Sequence, residues 1–167
     1  MLSLSEPTEI GTSANGQSVF LAPMTPDAAV ALGASLSEIN PWVRYPFPKP
    51  ALGAHLAAVE PGAPRFVLKA GTASCGAVGL RLNWFSGPYL QFLGILPEHQ
   101  GQGLGSMVLS WLEVRARAQN ARNLWVAASD FNAGAIRLYE RHGFRRVAVI
   151  DGLVSDGLNE VLLRKKL

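Results

Sequence analysis

The sequence is short of the residues that build disulfide and metal centres. One cysteine, Cys75, in 167 residues leaves no partner for an internal disulfide and excludes a multi-cysteine zinc site. The three histidines, His55, His99 and His142, form no H-x-x-x-H pair, so no dedicated metal centre is expected. Charged residues are scarce at 16%, whereas 49% of residues are hydrophobic, which excludes a disordered polyelectrolyte. A membrane-spanning run is lacking too. The uncharged, largely apolar stretch Leu82 to Pro97 holds Asn83, Ser86, Gly87, Pro88 and Gln91 and is too short to cross a bilayer as a helix. The opening MLSLSEPTEIG has neither the basic start nor the apolar run of a secretory signal. These absences describe a soluble, cytoplasmic protein with no membrane partner. There is no internal repeat and no low-complexity linker. The length suits one domain over residues 1–167, with residues 1–16 as a hairpin or a loose tail.

The charge that is present is uneven. The net charge is +3 and the pI about 9.4. Residues 1–99 carry five basic and six acidic side chains, and residues 100–167 carry ten and six. The excess is too mild for a nucleic-acid domain, which concentrates its charge more strongly. It makes the C-terminal part the place to look for an anionic ligand, against the plainer alternative of a solvated basic face.

Hydrophobic periodicity and turn residues give the elements. Asn15-Gly16 signals a type I′ hairpin turn leading into a strand at Ser18–Leu21. Thr25 followed by Pro26 reads as an N-cap with proline in the first helical turn, starting a helix to about Ser37. The Asn40–Pro50 stretch, with four prolines and three aromatics, is irregular. A short helix at Ala51–Val59 follows. Arg65–Ala70, Cys75–Asn83 and Tyr89–Leu96 read as strands, the last apolar enough to be buried on both faces. Leu104, Met107, Val108, Trp111 and Leu112 recur at helical spacing and predict a helix over Leu104–Gln119. A strand at Leu124–Ala128, a helix at Asn132–His142 stopped by Gly143, and strands at Phe144–Ile150 and Leu158–Arg164 complete the chain. The expected fold class is α/β (α+β): one mixed central sheet flanked by about four helices.

The most informative segment is Gln100-Gly101-Gln102-Gly103-Leu104-Gly105-Ser106, between an apolar strand and the strongest helix. A helix start leaves backbone N–H groups unpaired, and glycines let an anion approach them. No lysine follows the glycines, so this is not a P-loop, and Ser106 stands where a dinucleotide fingerprint needs its third glycine. A tight strand-to-helix turn with no ligand is the simpler alternative.

Q-x-x-G-x-G after an apolar strand ending in proline resembles the acetyl-CoA motif of the GNAT superfamily of N-acetyltransferases, through Gln100, Gly103 and Gly105. Residues 129–144, SDFNAGAIRLYERHGF, are similar to that family's N-x-x-A-x-x-L-Y-x-x-x-G-F segment through Asn132, Ala135, Leu138, Tyr139, Gly143 and Phe144. The resemblance covers about residues 89–164. It implies a GNAT-like fold and acetyl transfer from acetyl-CoA to a primary amine, by direct attack in a ternary complex. The amine would belong to a small molecule, a peptide N-terminus or a lysine. The backbone amides of Gly101, Gln102, Gly103, Leu104, Gly105 and Ser106 would hold the CoA pyrophosphate. Leu93, Gly94 and Ile95 would pair with the pantetheine arm and polarise the thioester carbonyl. Asn132 would position the arm, and Tyr139 would protonate the leaving thiolate. Asn132 as a plain N-cap and Tyr139 as a core residue are the structural alternatives. A homodimer through the apolar C-terminal strands is also in keeping with the resemblance.

The pattern departs from the family at the general base. Gln91 stands on the strand before the loop, where some members carry glutamate. Ala127 stands where the ribosomal-protein N-terminal acetylases carry one. Glu38, His55, Glu60, Glu98 and His99 are the remaining candidates, with deprotonation through water as the default. Trp42, Arg44, Tyr45, Phe47, Asn83, Trp84 and Phe85 are candidates for an acceptor wall, with Arg44 available to an acceptor carboxylate. The missing base motivates a non-catalytic acyl-CoA-binding or regulatory domain as the first alternative. The basic C-terminal part motivates a nucleotide-binding or nucleic-acid-binding module as the second.

Overall fold

The computed structural model describes residues 5–167; residues 1–4, part of the opening read above as carrying no secretory signal, lie outside the described residues. One sheet carries eight strands: β1 (Thr8–Thr12), β2 (Ser18–Pro23), β3 (Arg65–Ala70), β4 (Ala73–Trp84), β5 (Gly87–Ile95), β6 (Asn123–Ser129), β7 (Arg145–Ser155) and β8 (Leu158–Lys166). Their order is β1-β2-β3-β4-β5-β6-β8-β7. All neighbours are antiparallel except β5 and β6, which are parallel. The helices are α1 (Pro26–Ser37), α2 (Pro50–Ala57), α3 (Leu104–Ala118) and α4 (Ala133–Arg141). The mixed sheet with four helices is the expected α/β architecture. No helix among the described residues is long and apolar enough to cross a membrane.

Two apolar layers sandwich the sheet. Leu104, Val108, Leu109, Trp111 and Leu112 of α3 pack with Phe66, Leu68, Val78 and Leu80, and Ile136 and Tyr139 of α4 join them. On the other face Ala29, Leu32 and Leu36 of α1 and Leu56 of α2 cover Val67, Ala77 and Phe92. β3 therefore alternates between two cores, which is why nearly all of it is buried. Thr25 caps α1 by accepting from the Ala28 N–H (3.3 Å), with Pro26 behind it. The helices α1 and α2 cross at Gly33 and Gly53, where a Cβ on Gly33 would lie 2.4 Å from the Gly53 backbone. Glycine at position 33 permits that approach, while a Cβ on Gly53 would meet the Ala29 carbonyl at 3.3 Å.

Three expectations are corrected. The β1–β2 turn is not type I′. Ser13 and Gln17 close it, the Gly16 N–H donates to the Ser13 carbonyl (2.9 Å), and only Gly16 of the Asn15-Gly16 pair takes a positive φ, +78°. That is a three-residue loop with a left-handed glycine, the other common hairpin solution. Strand β5 is buried at Leu90, Phe92 and Gly94 but only half-buried at Tyr89, Gln91, Leu93 and Ile95, because the latter row opens into a cleft. The connection expected after Ile150 is strand as far as Ser155, with the turn confined to Asp156 and Gly157.

Candidate active site

The cleft comes from a mismatch between neighbouring strands. The parallel register of β5 and β6 contains two pairs, Tyr89↔Trp125 and Leu90↔Val126. Across β4, Leu80 pairs with Leu90 and Gly79 with Phe92, so Gln91 is an extra, bulged residue. A bulge bends its strand and adds twist. Beyond it β5 stays with β4, while β6 follows β8 as far as Ser129↔Glu160, so the two limbs part. The Leu96 N–H donates to Cys75 across β4 (2.8 Å). By antiparallel alternation Ile95 and Leu93 turn their backbone polar groups to the other edge, into the gap.

The glycine loop closes one end of this gap. Gly101 and Gly103 have φ of +75° and +80°, a left-handed backbone that glycine adopts without strain. Gly103 is the N-cap of α3, and the Met107 N–H is the first to find a helical carbonyl, that of Gly103 (3.1 Å). The amides of Leu104, Gly105 and Ser106 are thus left at the positive end of a fifteen-residue helix. Gly105 serves packing: a Cβ there would lie 3.0 Å from Leu138 of α4. Gln100 ties the loop to the strand, its Nε2 donating to the Ile95 carbonyl (2.9 Å). The Ser106 hydroxyl meets His142 Nε2 at 3.0 Å, joining α3 to the end of α4.

A cavity of about 680 Å³ runs along the gap. It brings together Leu93, Ile95, Gln100, Gly101, Gly103, Leu104, Gly105, Ser106, Asn132 and Tyr139. Gly94 and Gln102 stay outside its wall. Gly94 is buried, and a Cβ there would be 2.9 Å from Trp42. The Gln102 side chain turns back to the Glu98 carbonyl (3.4 Å). Of the arginines near the second motif, Arg141 lines the cavity, whereas Arg146 pairs with Glu140 (2.9 Å). Converging amides, a helix start and a nearby arginine form a donor set that suits a pyrophosphate.

Asn132 and Tyr139 stand on α4. Asn132 is the N-cap, its Oδ1 accepting from the Ala135 N–H (3.2 Å), a bond that leaves its Nδ2 uncommitted. Tyr139, seven residues on, is buried, and burial pushes its phenol pKa up, with Tyr89 adding to the rise. The hydroxyl is therefore a neutral donor throughout the physiological range.

Asn132 and Tyr139 also line a second cavity, of about 920 Å³, on the other side of the shared wall formed with Trp42, Leu93 and Ala135. The acceptor-wall candidates Trp42, Tyr45, Phe47, Trp84 and Phe85 line it; Arg44 and Asn83 do not. Arg44 instead lies over the Phe131 ring at 4.4 Å, and the arginine at this cavity is Arg81. Among the base candidates, Glu38 reaches the rim but pairs with Lys49 (2.7 Å). Glu60 is held low by a hydrogen bond from Arg65 and by Arg81. His99 lines the first cavity, beside the glycine loop. His55 lines the second cavity, with its pKa lowered by burial and then by Arg65, so its imidazole is neutral at pH 7.

The sequence model of the Acetyltransferase (GNAT) family matches residues 32–144, about two thirds of the chain. The chain belongs to this family. A streptothricin acetyltransferase from Streptomyces lavendulae is 31% identical over 72 residues, 41% of this chain and 38% of that enzyme. The match thus spans well under half of that relative's length. The crystal structure of a nourseothricin acetyltransferase superposes with a TM-score of 0.57 at 25% identity, covering 64% of this chain and 66% of that one. A GNAT acetyltransferase from Elizabethkingia anophelis, crystallised with acetyl-CoA bound, shares the fold with a TM-score of 0.66 at 16% identity, covering 89% of this chain and 98% of that one.

In this member of the GNAT family the second cavity contains a carboxylate that sequence reasoning missed. Glu160 on β8 is 6% exposed and accepts hydrogen bonds from the hydroxyls of Tyr45 and Ser129, the latter at 2.9 Å. The Tyr45 and Ser129 oxygens also lie within contact distance of each other, but each hydroxyl carries a single proton and donates it to Glu160, so this contact is not a third hydrogen bond. One signal was available: a charged residue directly before an apolar run of strand, Val161 to Leu163. Its partners are 31 and 115 positions away, so spacing carried no hint of them.

Proposed function

We propose that this chain moves an acetyl group from acetyl-CoA to a primary amine by direct attack in a ternary complex. The observation that carries the proposal is Tyr139 on the wall shared by two cavities, one ending at the glycine loop and the other lined by aromatics. Acetyl-CoA supplies a thioester, an electrophilic carbonyl with a thiolate leaving group. The amides of the loop, from Gly101 to Ser106, bind its pyrophosphate. Leu93 and Ile95 align the pantetheine arm through their backbone edge, aided by Asn132. Tyr139 holds a proton beside the position of the leaving sulfur. The acceptor enters from the second cavity, where water relays its proton. The same proposal takes residues 1–167 as one cytoplasmic acetyltransferase domain. It includes a homodimer through the edge strand β7, where Val147 and Val149 are exposed.

A thermal-shift screen with acetyl-CoA, longer acyl-CoAs, NADH and DNA tests the cofactor. Stabilisation by acetyl-CoA is expected; stabilisation by NADH or DNA alone overturns the proposal. Thiol release is then followed with a panel of amines that includes streptothricin and nourseothricin, the compounds named for two relatives. Acetyl-CoA binding without thiol release for any amine would instead favour the acyl-CoA-binding regulatory reading.

A further inference from the structure

Two charged side chains are buried among the described residues, Arg65 and Glu160. Their surroundings differ in kind. Arg65 has a carboxylate, Glu60 at 2.9 Å, and two carbonyls, of Ala58 at 2.8 Å and Ala63 at 3.1 Å. Glu160 has no cation within ion-pair distance among the described residues. Both of its hydrogen bonds, from Tyr45 and Ser129, reach Oε1. Oε2 receives none from the described residues and is not sealed off, and Glu160 lines the second cavity. A carboxylate taken out of water with no counter-charge is costly, and two hydroxyls on one oxygen offset only part of that cost.

The rest of the cavity defines the missing partner. Its other charged groups are already committed: Glu38 to Lys49 at 2.7 Å, and Arg81 to Glu60 at 3.1 Å. Trp84 packs against Phe85 and Tyr89 at ring distances of 5.1 and 5.3 Å, and Trp42 stacks on Phe92 at 4.7 Å. Aromatic faces accept both an apolar body and a cation. Tyr45 is fixed as a donor, since burial and the bond to Glu160 push its pKa up to about 12.

We propose that Glu160 is the anionic seat of the acceptor subsite: Oε2 receives an ammonium group of the acceptor, while the aromatic walls hold the apolar body that carries it. Tyr45 and Ser129 are positioning residues that fix the carboxylate. The acceptor class is then a cationic amine on an aromatic or alkyl frame, in preference to a neutral or anionic one. This rests on reading the second cavity as the acceptor side of an acetyltransferase.

Binding of simple probes tests it without turnover. Phenethylamine, its neutral counterpart 2-phenylethanol and the anion 3-phenylpropionate are titrated against the full chain by NMR at pH 7. The wild type is expected to bind phenethylamine at least about tenfold more tightly than the alcohol, the scale of a hydrogen bond to a charged group, and to bind the anion most weakly. Glu160→Gln keeps the side-chain shape and an acceptor for Tyr45, and should bring amine and alcohol to about equal affinity. Equal affinities in the wild type, absent binding of phenethylamine, or an unchanged preference in Glu160→Gln each overturn the proposal. The wild-type comparison stands even if the variant fails to fold. A protein that prefers phenethylamine but does not bind acetyl-CoA would refute the acetyltransferase reading and leave the cationic seat in place.

Discussion

Tyr139 is one of the residues at which the two cavities meet, and its chemistry follows from where α4 places it. Burial keeps the phenol protonated, which suits the proposed role of proton source and not that of a base. Removing the hydroxyl leaves a ring that fills the same volume against Phe144, 6.0 Å away between centroids. Tyr139→Phe should therefore fold and bind acetyl-CoA as the wild type does, while kcat for thiol release falls by about 10²- to 10⁴-fold, the usual range for a lost general acid. Paired thermal-shift and steady-state measurements check both halves. Asn132 and Tyr139 were legible because a motif within one helix fixes their spacing. Glu160 was not, because its setting depends on the β6–β8 register, which brings Ser129 opposite it, and on Tyr45 from the proline-rich segment. Partners set by sheet pairing leave no local period to read.

At the scale of elements, helices were easier to read than strand geometry. The apolar stripe of α3 predicts its length to within one residue, since its own side chains decide which face is buried. The separation of β5 from β6 was hidden. It depends on Gln91 failing to pair with β4, a relation between two strands and not a property of either. The β4–β5 turn was equally obscure. Phe85 and Ser86 take φ of +33° and +62° between the paired Trp84 and Gly87, a two-residue turn without the usual Asn or Gly. The Phe85 carbonyl is held there by Asn123 (3.2 Å) and by Trp125 Nε1 (3.1 Å), which explains how a bulky residue is kept in this conformation. Ser86→Asn puts a residue tolerant of the left-handed region at an exposed position and leaves the carbonyl contacts intact. It should stabilise by up to about 1 kcal/mol and raise Tm by about 2–4 °C, read by calorimetry.

For the whole molecule, the two histidines with lowered pKa set the pH response just below neutrality. His55 is depressed by burial and then by Arg65, with Arg81 acting in the same direction and Glu60 against it. His142 is depressed by burial and then by Lys165, with Arg141 acting in the same direction and Glu113 against it. In the unfolded chain both bind protons near the ordinary histidine value of about 6.5; in the folded chain they do so only at lower pH. Between those points the unfolded state holds more protons, so stability rises with pH. The contribution is complete above about pH 6.5 and is lost as pH falls through the folded values. The carboxylates with lowered pKa, Glu60 and Glu113, respond only below the ordinary carboxylate value and do not obscure this window. Tm measured from pH 7.5 down to 5.5 should fall, and the slope should flatten in a His55→Gln, His142→Gln double variant. Because His142 also bonds to Ser106 at the start of α3, acetyl-CoA should reduce the acid loss in the wild type if the amides beside Ser106 hold its pyrophosphate. An equal acid loss with and without saturating acetyl-CoA would place the pyrophosphate away from that helix start.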